Sequence, residues 1–300
     1  MSTPKSSRPN PPASPGKTAS LASPATPEEV ENHSPGRLYR GADWITFAVT
    51  TLVVFLGYLL TLSPDLTLED SGELAVGSMY AGVPHPPGYP LWTLYTWLFT
   101  KLIPFSNIAF RVSISSAVAA SLSAGIVGLL ISRGSSMILE GIDWFKDLNR
   151  KLVSPICLVS GLAGGMLLGF NGYIWSQAVI VEVYTLAVLT LMGVFAFLLR
   201  WMYAPGQLRY LYLSFFFFGL CLCNHQTLIV AAMGLEIAIL AADRRLGRDM
   251  FWANGFVFTY VVLGRAFGFS GVLADNPGVF LIFSPPPGNE LEEIMNFILF

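Results

Sequence analysis

A chain of 300 residues with 53% hydrophobic and only 12% charged side chains carries about half the charge of an ordinary soluble domain, which excludes that class and leaves an integral membrane protein. Its net charge of −2 offers no clustered basic face, so nucleic acid is excluded as a partner. Cys157, Cys221 and Cys223 all fall inside apolar runs, where they act as small hydrophobes rather than as a disulfide framework.

Residues 1–36 are rich in Ser, Pro, Thr, Lys and Ala, and the first 40 residues are predicted to be a disordered cytoplasmic tail. The first apolar stretch opens only at Trp44 and lacks a small-residue cleavage site, so it is expected to remain as an anchor. A hydrocarbon core about 30 Å thick needs roughly 20 apolar helical residues. Scanning at that length predicts seven spans, near 44–63, 108–132, 153–173, 178–200, 209–224, 226–242 and 250–268. The fold class is therefore all-α, a polytopic transmembrane bundle over 41–270. The fifth and sixth spans are short and divided only by Asn224, His225 and Gln226. Residues 91–104, aromatic but too short to span, predict an amphipathic helix in the interface. Residues 271–300 read as an outer loop and the start of a further, truncated span. Fourteen of the 17 Lys and Arg fall in alternate connections, leaving Lys101, Arg111 and Arg265 on the other side. The positive-inside rule then assigns a cytoplasmic N-terminus and an extracytoplasmic first loop, 64–107.

That loop contains "LEDSGELAVGSMYAGVPHPPGYPLW" at 68–92. Glu69, Asp70 and Glu73 share adjacent faces of a helix predicted to begin near Thr67. Like charges held close raise one pKa and leave another ionised, which makes a carboxylate a usable base; the same oxygens could recruit Mg²⁺ or Mn²⁺. His85 adds a second titrating group, and Pro86-Pro87-Gly88-Tyr89-Pro90 restricts the following chain to few conformations. The competing reading is structural. Thr67-Leu68-Glu69-Asp70 and Asp70-Ser71-Gly72-Glu73 both fit helix-start signals, so these acids could simply cap a helix. His85 could be a turn hydrogen-bonder, and the residues alone leave both readings open.

The run from Ser63 to Arg111 combines Asp-Ser-Gly-Glu, His-Pro-Pro-Gly-Tyr-Pro and Asn-x-x-x-Arg-Val in that order. It closely resembles the signature of a membrane family once labelled a domain of unknown function and now grouped with protein O-mannosyltransferases. The resemblance covers roughly residues 44–200. It implies a fold of the GT-C class of polytopic glycosyltransferases, a polyprenyl-phosphate sugar donor and an acidic motif in the first outer loop. Carried onto this chain, that motif falls on Asp70, with Glu69 and Glu73 as alternatives or helpers. Arg111 would hold the lipid phosphate bidentately, or else is a snorkelling interfacial cation. His85 and Tyr89 join the donor-binding set. The resemblance implies no metal and no other cofactor.

Three further polar positions stand on the same side. Glu182, near the outer end of the fourth span, is costly there without a wet cavity or a partner, and is a candidate acid beside the acceptor. Trp175, Tyr173 and Tyr184 could stack on a sugar, although the ordinary interfacial aromatic belt is the default account of them. His225 could approach the phosphate or the acceptor, or serve a tight turn. Arg265 is either a second phosphate contact or a snorkelling residue.

The expected function is transfer of a sugar, mannose, from a polyprenyl phosphate to a hydroxyl of an exported protein or glycan, with inversion. The expected partners are that donor, that acceptor and membrane lipids. A transporter or lipid flippase is the rival. It would place its ionisable groups near the bilayer midplane on broken helices, whereas here the acids gather in an outer loop. A truncated, inactive family member is the third reading, since the resembling proteins are longer.

Overall fold

A computed structural model describes residues 38–67, 70–86, 88–145 and 150–267 of the chain. Residues 1–37 of the expected tail, Glu69, Pro87, the segment 271–300 and the side chain of Arg265 lie outside the described residues.

Regular structure among the described residues is entirely helical. Helix α1, Gly41–Thr61, starts where the Asp43 carboxylate accepts the Arg40 backbone N–H at 2.8 Å, and stops at extended Leu62, two residues before Pro64. The loop after α1 then forms two short helices, α2 over Ser71–Tyr80 and α3 over Pro90–Leu102. Asn107 opens the 34-residue α4, Ile108–Gly141, by accepting the Phe110 N–H at 2.8 Å. Next come α5 over Arg150–Gly169, the short α6 over Gly172–Ala178, and α7 over Tyr184–Tyr203. The chain continues through α8, Leu208–Asn224, a 3₁₀ turn at Gln226–Val230, α9 at Ala231–Ala242 and α10 at Arg244–Phe267.

Helix α4 is the central post and packs against α1, α5 and α7. Its Ser, Ala and Gly residues explain why, because lipid offers no hydrophobic drive and close backbone approach must supply the contact. A Cβ on Gly161 of α5 would lie 2.6 Å from the Gly128 carbonyl oxygen, 2.7 Å from Thr46 and 2.8 Å from Ser132. One on Gly165 would meet the Ala124 carbonyl oxygen at 2.7 Å. These glycines leave room for three backbones to approach one another.

Four helices are long and apolar enough to cross a membrane: Gly41–Thr61, Ile108–Gly141, Leu152–Gly169 and Tyr184–Tyr203. The other three expected spans have a different character. Leu208–Asn224 is only 17 residues long, and the stretch from Gln226 opens with a 3₁₀ turn before twelve α-helical residues. Helix α10 begins with the charged sequence Arg-Arg-Leu-Gly-Arg-Asp. The fourth span also begins later than its apolar run suggests, at Tyr184 rather than 178. There the Glu182 carbonyl accepts the Trp92 indole N–H at 3.0 Å and the Ser116 hydroxyl at 3.3 Å. Side chains thus supply partners that a helix would otherwise provide, so residues 179–183 can stay irregular while buried.

The bundle has two chemically distinct ends. At one, the connections expected on a common side converge: Ser63 N–H donates to the Val179 carbonyl at 2.9 Å, and the Trp175 indole to Thr61 Oγ1 at 2.8 Å. At the other, Arg40 pairs with Asp43 at 3.7 Å and with Glu140 at 3.6 Å, and the Ser132 hydroxyl donates to buried Asp43 at 2.6 Å.

Candidate active site

Asp70 occupies the N-cap position of α2, yet its side chain makes no capping bond. Ser71 does the local work instead, accepting the Thr67 N–H at 3.0 Å and donating to the Thr67 carbonyl at 2.6 Å. The helix-start explanation therefore does not account for the Asp70 carboxylate, which is 61% exposed. Glu73 is likewise turned away from the helix start. Its Oε1 accepts the His85 backbone N–H at 2.6 Å and its Oε2 lies 3.2 Å from His85 Nδ1. One carboxylate thus fixes both the main chain and the ring of a residue twelve positions on.

The consequence is an oriented imidazole. With Glu73 as acceptor, Nδ1 of neutral His85 carries the proton, and Nε2 turns its lone pair to the Tyr89 hydroxyl at 3.4 Å and lies 3.9 Å from Asp70 Oδ2. The connecting turn is bent to achieve this. Gly88 has φ of 92° and donates its N–H to the His85 carbonyl at 2.9 Å, while Tyr89, not a glycine, has φ of 42°. A left-handed tyrosine costs roughly 1–2 kcal/mol. Pro90 at the first turn of α3 fixes the exit.

Behind this cluster stands an aromatic wall. The Tyr89 and His225 rings stack with centroids 6.5 Å apart, and Tyr184 lies 5.4 Å from His225. His225 Nδ1 is 2.6 Å from the Thr227 hydroxyl. Burial raises the Tyr89 phenol above its ordinary pKa, with Tyr184, Glu182, Asp70 and Glu73 adding to the rise. Tyr89 therefore remains a neutral donor at physiological pH, close to three carboxylates. Burial lowers the His225 pKa, keeping that ring neutral.

Glu182 is 6% exposed, and its carboxylate accepts the Val183 N–H at 2.5 Å. Asn224, fully buried, donates to the Val183 carbonyl at 3.4 Å, tying the start of α7 to the end of α8.

The structure brings together Asp70, Glu73, His85, Tyr89, Glu182 and His225. It does not bring Arg111 to them. The Arg111 guanidinium donates to the carbonyls of Thr100 at 3.1 Å, Phe105 at 3.0 Å and Ser106 at 2.8 Å, bracing the α3–α4 connection. Thr100 is eleven residues along α3 from Tyr89, or about 16 Å of helix. Among the described residues no group of three or more His, Cys, Asp or Glu is arranged to hold a metal ion.

Trp92 and Ser116 escape a reading based on titratable groups. Trp92 lies three residues after Tyr89 on the same face of α3, and its indole anchors Glu182 from a fully buried position. Its spacing from Tyr89 was the available signal. For Ser116, one of many small residues in α4, the sequence offers none.

Residues 70–246, more than half of the chain, match the family model described as the protein O-mannosyl-transferase TMEM260 N-terminal domain. The chain belongs to this family. It is 29% identical over 176 residues to the mouse protein O-mannosyl-transferase TMEM260, an alignment covering 58% of this chain and 22% of that protein. It is 24% identical over 253 residues to the Dictyostelium discoideum protein of the same name, covering 78% and 27%. The chain thus spans about a quarter of the length of these relatives. No solved structure matches it. The match begins at Asp70 and includes α2, α3 and the His85–Tyr89 turn.

Proposed function

We propose that this chain carries the catalytic face of a membrane glycosyltransferase that moves mannose from a polyprenyl phosphate to a hydroxyl of an exported protein or glycan. Membership of a family named for O-mannosyl transfer supports the reaction class. The observation that carries the site is the Asp70–Glu73–His85–Tyr89 cluster, held by a strained turn and unexplained by helix capping.

In this reading Asp70 accepts the proton of the incoming hydroxyl as its oxygen bonds to the anomeric carbon. The bond from that carbon to the phosphate oxygen breaks with inversion, and the lipid phosphate leaves with the electron pair. Tyr89 is assigned to the phosphate oxygens as a neutral donor, turning its O–H from His85 Nε2 to them, and His85, its ring oriented by Glu73, sits beside the phosphate and positions that hydroxyl. Tyr184 and His225 offer ring faces to a sugar, and buried Glu182 lies beside the acceptor. Arg111 is assigned to bracing the loop, with its remaining N–H groups available to a phosphate further along α3. Arg265 is retained as a further phosphate contact. A GT-C architecture with α8–α10 completing seven spans, the acidic end outside and the N-terminus cytoplasmic, suits the distribution of cations.

The transporter reading is not favoured, because these carboxylates lie on a loop at one end of the bundle rather than at a midplane helix break. The test is transfer of labelled mannose from polyprenyl-phosphate mannose to exported acceptors, comparing wild type with Asp70→Asn. Loss of a general base lowers the rate about 10²- to 10⁴-fold. Equal transfer by both proteins would end the assignment.

A further inference from the structure

The opposite end of the bundle holds a second constellation that the sugar chemistry does not use. Three arginines and two tyrosines from three helices interleave there. The Arg133 guanidinium of α4 lies 5.6 Å from the centre of the Tyr203 ring of α7, and Arg200 lies 5.9 Å from the same ring. Arg200 is also 4.7 Å from the Tyr210 ring of α8, and Arg209 is 4.8 Å from it. The order is thus Arg133, Tyr203, Arg200, Tyr210, Arg209, with each ring flanked by two cations.

No carboxylate among the described residues pairs with any of these three arginines. Two acids at this end, Asp43 and Glu140, pair instead with Arg40. Arg133 donates from one terminal nitrogen to Ser136 Oγ at 2.8 Å, and Arg200 to Gln207 Oε1 at 3.0 Å. Both acceptors are neutral. Arg133 is only 8% exposed, yet its Nε has no hydrogen-bond partner among the described residues, and neither does one terminal nitrogen of Arg200. Among the described residues these three guanidiniums meet ring faces and neutral oxygens but no counter-charge, which is an incomplete electrostatic arrangement. An anion with several acceptor oxygens completes it.

Guanidinium geometry selects a phosphate ester, because a planar fork matches two phosphate oxygens and the neighbouring tyrosine rings restrict where that fork can lie. The surroundings select a lipid. Leu199, Tyr203, Leu208 and Tyr212, on the same turns as Arg200 and Arg209, are all large, apolar and exposed. A ligand here therefore meets cations and an oily rim together, as an anionic headgroup and its acyl chains would require.

We propose that Arg133, Arg200 and Arg209, aligned by Tyr203 and Tyr210, form a binding site for the phosphate of an anionic membrane lipid in the leaflet at the basic end of the bundle. The lipid acts as a structural ligand joining α4, α7 and α8, remote from the acidic cluster, and takes no part in transfer. Two of its three cations come from either side of the four-residue turn between α7 and α8, so occupancy fixes how that hairpin meets α4.

The test is thermal unfolding of the purified chain in bicelles of phosphatidylcholine with increasing mole fractions of phosphatidylglycerol, with inorganic phosphate as a separate titrant. Wild type is expected to show saturable stabilisation by phosphatidylglycerol. Arg200→Gln and Arg209→Gln should each raise the half-saturating mole fraction about tenfold, the effect of one charge-assisted contact. Arg209 is exposed, so its variant folds whether or not the site exists. Asp70→Asn should leave the titration unchanged. Equal stabilisation by phosphatidylcholine alone, or wild-type titrations in both arginine variants, would overturn the site. Saturable protection by inorganic phosphate matching that by phosphatidylglycerol would overturn the lipid as its occupant.

Discussion

Replacing Glu73 tests whether the acidic cluster is an arrangement or a coincidence, because in the proposed mechanism this residue acts on the reaction only through His85. Its two oxygens engage His85 twice, at the backbone N–H and at Nδ1. Hydrogen bonds to a carboxylate contribute about 1.5–3 kcal/mol each when buried, and with Glu73 half-exposed water replaces about half of the low-end value, which leaves about 0.8–1 kcal/mol for each of the two. Glu73→Ala therefore frees the turn by about 1.5–2 kcal/mol, a ten- to thirtyfold fall in the fraction of molecules with His85 in place. Transfer should fall by the same factor through kcat, with overall stability little changed. Glu73→Gln should fall between the two. It can keep the backbone bond, but its amide N–H₂ then faces Nδ1, which must accept, so the proton moves to Nε2 and the ring no longer receives the Tyr89 hydroxyl. A double-mutant cycle isolates the cause. If Glu73 works by orienting His85, then Glu73→Ala should cost little more once His85 is already alanine. Full, additive losses in the double variant would refute the reasoning, and would make Glu73 a direct participant instead.

Two other outcomes follow from packing and titration. Gly161→Val drives side-chain atoms into the Gly128 carbonyl and Ser132, and overpacking of this kind costs about 1–3 kcal/mol. Thermal unfolding in detergent should show it, with Gly134→Ala, which meets nothing within 4 Å, as the silent control. For His225 the folded pKa lies below the ordinary value of 6.5 because the ring is buried. The unfolded chain then binds the extra proton first, so the stability held by neutral His225 is complete above about pH 6.5 and is lost as pH falls through the unfolded value towards the lowered folded one. Unfolding temperatures measured from pH 7.5 to 5 should drop less for His225→Asn than for wild type, and parallel curves would count against the buried-ring account.

The sequence was informative where the physics is local and ran out where it depends on neighbours. The α1, α4, α5 and α7 spans were legible because a membrane demands about twenty apolar residues in a row, and the clustering of the intervening loops at one end was legible from the cations alone. The partner of each acid was not. Asp70 and Glu73 fit a helix start equally well as letters, and only the folded placement of His85 shows that Glu73 reaches it instead. The same limit applies to Arg111. A cation after an acidic loop suggests a phosphate, but the connection from α3 ends in carbonyls that have left helical bonding, and the guanidinium satisfies those first. It applies in reverse at the basic end, where the cations of 133, 200 and 209 read singly as positive-inside markers. Helix packing alone sets them around two tyrosines without a counter-charge among the described residues. Charge in this chain can be counted from its letters, but whether a charge is already satisfied is a property of the fold. Asp70, whose carboxylate caps no helix, at one end, and the arginines that pair with no carboxylate among the described residues at the other, direct where ligands should be sought.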